Sequence, residues 1–449
     1  MHFDPADART PIVLVSGLDP AAVRRIGDAL EAEAGTIRVH HDLSRVSDGR
    51  VIRRPGWREP DGRRREDVLV IDLAHGCVSC TLREDLLPLL RRLHRRPSVD
   101  RIVLALDPLL EPERIAWSIE NVVVGTVPDA PAAPASSDVR IEATITVVAE
   151  QDWLLHATGD REVTEVLAAP VDDERTMAQL AVGQVAFADA LVITGCDPAL
   201  RQAWESARLM AVLERLAPRA PMIFEIPGRR IDPTLAAQLL AAIPRTSRRG
   251  RIDGPHDPLL ADQPPLDADC GVTWLEFHAD RPMHPGRLHD AIDALLDGVV
   301  CARGRLWLAT RPDEALWLES AGGGLRIAPG GRWLAAMDEH ELDRVSPERR
   351  ALGALRWDQA HGDRHTSLVA LVHRAHPEDL VDELQTALLT DVEFSAGQNV
   401  WDRYDDPFGR FHTDPCEEVE TGYPLAEHPS ATDGPESPGS VAHGPGDRP

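Results

Sequence analysis

Between residues 12 and 216 the chain alternates short apolar runs with amphipathic stretches, and nothing else in the sequence constrains the fold as strongly. Residues 12–16, 68–73, 102–106, 144–148 and 191–194 read as strands. Residues 21–33, 83–93, 176–186 and 202–216 read as helices. Asp19-Pro20 sits where the first helix begins, matching the preferences of an N-cap and a first helical position. Strands that alternate with helices call for a mostly parallel sheet covered by helices on both faces, because each crossover lays a helix against the sheet. Two stretches break the rhythm. Residues 50–67, dominated by Arg, acid, Gly and Pro, read as an exposed loop, and the Pro/Ala/Ser-rich residues 128–138 read as a linker inside the domain.

Residues 247–269 carry Arg, Asp, Pro and Gly without apolar periodicity, and the expected domain boundary falls there. Beyond it, residues 272–278, 305–310, 316–320 and 367–373 read as strands, and 285–296 and 378–389 as helices. That order suits a small α+β domain. The expected organisation is therefore an α/β domain over residues 1–246, a linker over 247–270 and an α+β domain over 271–395. A polar, largely disordered tail is expected over 396–449.

The formal charge of −26 argues against direct, non-specific binding to DNA or RNA, since a strongly acidic body is repelled by a phosphate backbone. Every basic side chain is Arg or His; the sequence contains no lysine. Six cysteines in 449 residues do not make a disulfide scaffold, and only Cys77 and Cys80 are close neighbours. No signal peptide is expected. No apolar run approaches the length of a membrane span, so the expected compartment is the cytoplasm.

Five strings, in order, carry a family resemblance. Asp72-Leu-Ala-His75-Gly76-Cys77-Val-Ser79-Cys80-Thr81 resembles the Gly-Cys-x-Cys-Cys-Thr metal motif of the CobW family. Gln184-Val-Ala-Phe-Ala-Asp189 is similar to the segment that precedes that family's guanine-reading motif. The stretches from Pro282 to Leu288 and from Gly304 to Pro312, with Gly362-Asp363-Arg364, resemble its C-terminal domain. The resemblance spans residues 11–390 and implies a P-loop-NTPase-like α/β domain followed by a CobW C-terminal α+β domain. Family members are GTPases that insert or traffic metal, commonly zinc. An actinobacterial branch is implicated in recruiting a hibernation factor to ribosomes under zinc limitation. The His75-to-Thr81 string and the Asp402-x-x-Asp405-Asp-Pro407-Phe408 tail are most similar to that branch.

Against that family pattern the nucleotide site is depleted. A P-loop needs glycines that let backbone amides cradle phosphate, a lysine for the terminal phosphates and a hydroxyl for Mg²⁺. Here the stretch reads Gly17-Leu18-Asp19-Pro20-Ala21-Ala22-Val23-Arg24. Gly17 survives. Pro20 and Ala22 replace the later glycines, Val23 the lysine and Arg24 the Mg²⁺ ligand. The Asn-Lys-x-Asp guanine reader becomes Thr194-Gly195-Cys196-Asp197, which keeps only Asp197. The Glu-Thr/Ser-Gly element is replaced around Ala105-Leu106-Asp107-Pro108. Gly17 and Asp197 are therefore expected to be remnants of an inactive site, with GTP not a cofactor. A helix N-terminus bearing Arg24 and Arg25 is the remaining route to anion binding.

Of the three family cysteines, the middle one is Ser79. What remains is Cys77-x-x-Cys80 with His75 upstream. Three readings stand open: a transient or sensory Zn²⁺ site using Cys77, Cys80 and His75, reduced packing cysteines, or redox chemistry. Trp307, Trp317, Trp333 and Trp357 are expected in the C-terminal core, and residues 53–65 form a basic loop read as solvated. The expected function is zinc-linked recruitment of a protein partner, with a ribosome-associated hibernation factor as the candidate. A GTPase using unusual arginine contacts and a nucleotide-independent metal carrier working through Cys77 and Cys80 are the alternatives. No DNA or membrane partner is expected.

Overall fold

The computed structural model describes residues 7–59, 61–73, 81–125, 131–171, 173–195, 203–226, 228–260 and 262–409. The first domain is built on strands β1 (Thr10–Gly17), β2 (Thr36–Asp42), β3 (Arg50–Arg58), β4 (Arg64–Glu66), β5 (Leu69–Asp72) and β6 (Arg101–Ala105). A two-residue ribbon, β7 (Val123–Val124) and β8 (Ala133–Pro134), precedes β9 (Val139–Ala149), β10 (Ala190–Thr194) and β11 (Met222–Phe224). The sheet runs β11-β10-β9-β1-β6-β2-β3-β4, with β5 also paired to β3. Its six strands from β11 to β2 are parallel, as the strand–helix alternation requires, and β3, β4 and β5 extend it antiparallel. Ile12, Leu14, Ile102 and Leu104 point to one face, and Val13, Val15, Val103 and Ala105 to the other. Both faces are covered and fully buried.

The second domain holds the antiparallel sheet β12-β16-β13-β14-β15, from β12 (Thr273–Ala279), β13 (Val299–Leu306), β14 (Glu314–Ala321), β15 (Gly324–Arg332) and β16 (Thr366–Val372). Helices Pro285–Ala291 and Pro377–Ala387 cover one face around Leu306, Leu368 and Leu384. The domains meet where Val272, Val300 and Leu371 join Ala178, Val182 and Leu209 in one apolar cluster. The turn between β14 and β15 docks there. A Cβ on Gly322 would stand 2.4 Å from the carbonyl oxygen of Gly159, and its φ is +49°, so only glycine fits.

Several expectations need correcting. Residues 50–67 are a hairpin, β3 with β4, because β2 offers a free edge that extended backbone can join; side-chain periodicity gave no sign of it. Residues 69–72 do form a strand, but at the solvent edge, with Val70 61% exposed. The linker expected at 128–138 contains β8 and a 3-10 turn over Ala135–Ser137. It is tied down by Arg91, whose guanidinium bonds Asp138 at 2.8 Å. In the second domain the strand expected at 305–310 ends at Leu306, and β15 was hidden by its Gly- and Pro-rich composition. The polar tail expected from residue 396 does not begin there: helix Gln398–Trp401 packs Trp401 into a cluster with Trp307 and Trp333. Of the four tryptophans expected in this core, Trp307 and Trp333 are buried and Trp317 partly so, whereas Trp357 is 54% exposed.

Candidate functional site

In an open α/β sheet, ligands bind beyond the carboxyl ends of the parallel strands. Here Gly17 closes β1 at the sheet centre, beside the ends of β6 and β9. Helix α1 (Pro20–Glu31) follows at once, with Asp19 as its N-cap. The Asp19 carboxylate accepts from the amides of Ala21 (2.9 Å) and Ala22 (3.2 Å). The amide of Val23 donates to the Asp19 carbonyl at 3.0 Å, and Pro20 has no N–H. Every first-turn position is thus either lacking a donor or already bonded within the chain, where a phosphate-binding helix leaves its amides free.

The neighbouring side chains are committed as well. Val23 is fully buried with Val15, Ile145 and Val147. Arg24 is exposed, and Arg25 pairs at 2.5 Å with Glu225 beyond β11. Gly17, expected as a nucleotide-site remnant, has a packing reason to remain glycine: a Cβ there would stand 2.7 Å from the carbonyl oxygen of Val147. Asp107, beyond β6, accepts from the amides of Leu43 (3.0 Å) and Leu109 (3.1 Å), and burial raises its pKa. Asp189 likewise accepts from the amides of Thr144 and Arg249, both at 2.9 Å, tying β9 to the linker; burial raises its pKa too. Asp197 lies outside the described residues.

His75, Cys77 and Cys80 also lie outside the described residues, but the ends of their segment are defined. On one side Leu73 donates to the carbonyl of Gly49 at 2.8 Å, and Asp72 pairs with Arg50 at 3.2 Å. On the other, Asp85 accepts from His41 at 2.7 Å and from Arg53. The hairpin arginines thus carry much of the anchoring, and most are neutralised by the chain's own acids: Arg54 by Asp42, Arg63 by Asp61, Arg64 by Asp28 and Glu31. Among the described residues, no group of three or more His, Cys, Asp or Glu side chains is placed to hold a metal ion. Cys270 and Cys301 are free thiols, and burial pushes Cys301 up to about 11.

A feature the sequence did not reveal is a cleft of about 2510 Å³ between the domains, lined by Glu113, Arg114, Arg175, Arg248, Arg303 and Glu319. Glu113 is exposed on the cleft wall, where confinement by the cleft and then the charge of Glu319 push it up to about 7. The two carboxylates come from different domains, so no linear motif could have marked them. Among the described residues, no helix is long and apolar enough to cross a membrane.

Comparison with known proteins gives the lineage. Residues 41–224 match the CobW/HypB/UreG nucleotide-binding domain, a match that begins beyond the loop from Gly17 to Arg24. Residues 272–388 match the cobalamin synthesis protein cobW C-terminal domain. A Mycobacterium tuberculosis protein named as a zinc chaperone is 47% identical over 411 residues, 92% of this chain and 96% of its own. The zinc-regulated GTPase metalloprotein activator 1 of Dictyostelium discoideum is 24% identical over 347 residues, 75% of this chain and 70% of its own. The Zn(II)-bound YjiA GTPase of E. coli overlaps 85% of this chain and 99% of its own at 13% identity and a TM-score of 0.35, too distant to carry an argument. With both family domains matched in order and a relative of nearly full length at 47% identity, the chain belongs to the CobW family.

Proposed function

We propose that this protein is a zinc-linked recruitment factor that has kept the CobW scaffold and given up GTP turnover, and that it brings a hibernation factor to ribosomes. The observation that carries the loss of turnover is the Asp19 cap. A carboxylate occupies the amides that would cradle a phosphate, and it sets a negative charge where an anion would dock. Val23, buried in the apolar core, supplies no positive charge in place of lysine. Zinc as the input is supported by the names of the mycobacterial and Dictyostelium relatives. Cys77 and Cys80 are the ligands this reading assigns, with His75 beside them.

Docking on the ribosome then runs through protein–protein contact. A chain of charge −26 gains nothing from bulk attraction to rRNA, and most of the hairpin arginines are engaged with acids of the same chain. Two measurements test the reading. Calorimetry with GTP and Mg²⁺ is expected to give no binding in the micromolar range, and micromolar affinity would overturn the loss of turnover. Co-sedimentation of the full chain with ribosomes from zinc-starved cells, with and without hibernation factors, is expected to show association that depends on the factor. No association in either case would favour a second reading supported by the relative's name, a nucleotide-independent zinc carrier working through Cys77 and Cys80.

A further inference from the structure

The outermost strand of the first domain's sheet is an open edge that nothing above uses. β4 and β5 pair with β3 in one register: Glu66 stands opposite Gly56 and Leu69 opposite Arg53, with no slip between them. The ladder is unbroken at the join, where the amide of Asp67 donates to the carbonyl of Pro55 at 3.0 Å and Pro55 has no N–H to return. Residues 64–72 therefore form one extended edge. Among the described residues, no strand is paired along its other side.

The ladder fixes which main-chain groups are free. The amide of Glu59 donates to the carbonyl of Arg63, that of Asp67 to Pro55 and that of Leu73 to Gly49, at 2.9, 3.0 and 2.8 Å. Antiparallel residues alternate between turning both main-chain groups towards the partner strand and turning both away. Arg63, Asp67 and Leu73 face β3, so Glu66, Val68, Val70 and Asp72 present their N–H and C=O groups to the open side. Sheet edges are ordinarily blunted by charge, proline or a bulge. Here Val68, Leu69 and Val70 are 58%, 39% and 61% exposed, and the run from Val68 to Ile71 contains none of those devices.

The charges around the run say what fits it. Arg63 meets Asp61 at 2.6 Å, Arg64 meets Asp28 and Glu31, and Arg65 meets Glu59 at 3.9 Å. Arg53 and Arg54, on β3 behind the run, are paired with Asp85 and Asp42, and Glu66 is bonded by Arg38 at 2.5 Å. Asp67 is exposed and has no ion pair among the described residues. Asp72 meets Arg50 at 3.2 Å, yet 80% of its side chain is exposed. The apolar run is thus bracketed by two acids, on a chain of charge −26. A second copy would bring the same net charge against them, so a basic partner is favoured over self-pairing.

We infer that this edge is a docking site for an extended segment of a partner protein, added to the sheet as a further strand through the main-chain groups of Val68 and Val70. Strand addition takes its affinity from backbone hydrogen bonds and its specificity from alternate side chains. The segment that fits carries alternating apolar, β-branched residues with arginine or lysine at its ends, to meet Asp67 and Asp72. Such addition needs neither zinc, nucleotide nor ribosome, so the inference stands apart from the proposed function.

The test is fluorescence anisotropy of a labelled peptide, Arg-Val-Thr-Val-Thr-Val-Arg, titrated with the full chain in the absence of zinc and nucleotide. Saturable binding with a Kd of about 0.1 mM is expected. Val70→Pro removes an N–H that points away from β3, so it spares the chain's own ladder, and it is expected to weaken binding at least about tenfold. Thermal melting checks that this variant folds. Two further peptides test the parent chain itself: one N-methylated at its valines and threonines, and one with glutamate in place of both arginines. Each is expected to bind at least about tenfold more weakly. No saturable binding by the parent would overturn the site, as would binding unchanged in Val70→Pro or with the N-methylated peptide. Equal binding of the glutamate peptide would overturn the choice of a basic partner. A parent dimer in sedimentation that Val70→Pro dissociates would give the edge to a second copy and overturn the inference.

Discussion

Replacing Asp19 separates the two roles assigned to its carboxylate. In Asp19→Ala the amides of Ala21 and Ala22 lose their acceptor, which now lies 2.9 and 3.2 Å away. Loss of an N-cap costs about 1 kcal/mol, within a range of roughly 0.5–2. The favourable contact between a carboxylate and the helix dipole adds a few tenths more at low salt. For a domain of this size that is a fall in melting temperature of roughly 2–4 °C. Asp19→Ser keeps a hydroxyl acceptor for the same amides and is expected to lie within about 0.5 kcal/mol of the parent. Urea titration followed by far-ultraviolet circular dichroism reads the difference between Ala and Ser, and their ordering matters more than either value. On the proposed reading neither variant gains GTP binding, because Val23 is apolar and buried and Arg24 cannot coordinate a cation. If Asp19→Ala were as stable as Asp19→Ser, the carboxylate would not be capping the helix and the amides would be open to a ligand. The case for a closed nucleotide site would then fail.

Three further outcomes follow from the same coordinates. Arg38 is 1% exposed and bonds Glu31, itself wholly buried, at 3.0 Å; Arg38→Met is expected to cost about 3–5 kcal/mol in urea unfolding, with much of the loss recovered in Arg38→Met/Glu31→Gln. The confinement of the cleft and the charge of Glu319 raise Glu113 from 4.5 to about 7, but its side chain is exposed and solvent screens the effect, so only a small advantage of the protonated form is lost as pH rises from 4.5 through 7. Glu113→Gln is therefore expected to raise the melting temperature at pH 8 and leave it unchanged at pH 4, and the reverse pattern would contradict the crowding by Glu319. Zinc measured by mass spectrometry on purified protein is expected to fall in Cys77→Ser/Cys80→Ser; equal zinc in both proteins would move the site to other ligands.

The parallel sheet and the position of α1 were legible in the sequence because they rest on local causes. Residues 12–16 are apolar enough to be buried on both faces, and Asp19-Pro20 sets the helix start wherever the rest of the chain lies. The family motifs were legible for the same reason, each being a short string. The hairpin over residues 50–66 was not, since its strands form by joining the edge of β2 and by pairing arginines with Asp28, Glu31 and Asp85, acids distant in sequence. How the loop from Gly17 to Arg24 is held was also decided in three dimensions. The sequence placed an aspartate before a proline, but only the fold shows its carboxylate on the amides of Ala21 and Ala22, with Gly17 held by its close approach to Val147. The linker's seat on the second domain lies furthest from what sequence reading reaches. Arg305 on β13 holds it through the carbonyls of Pro255 and Asp257, contacts between distant segments that no linear pattern records.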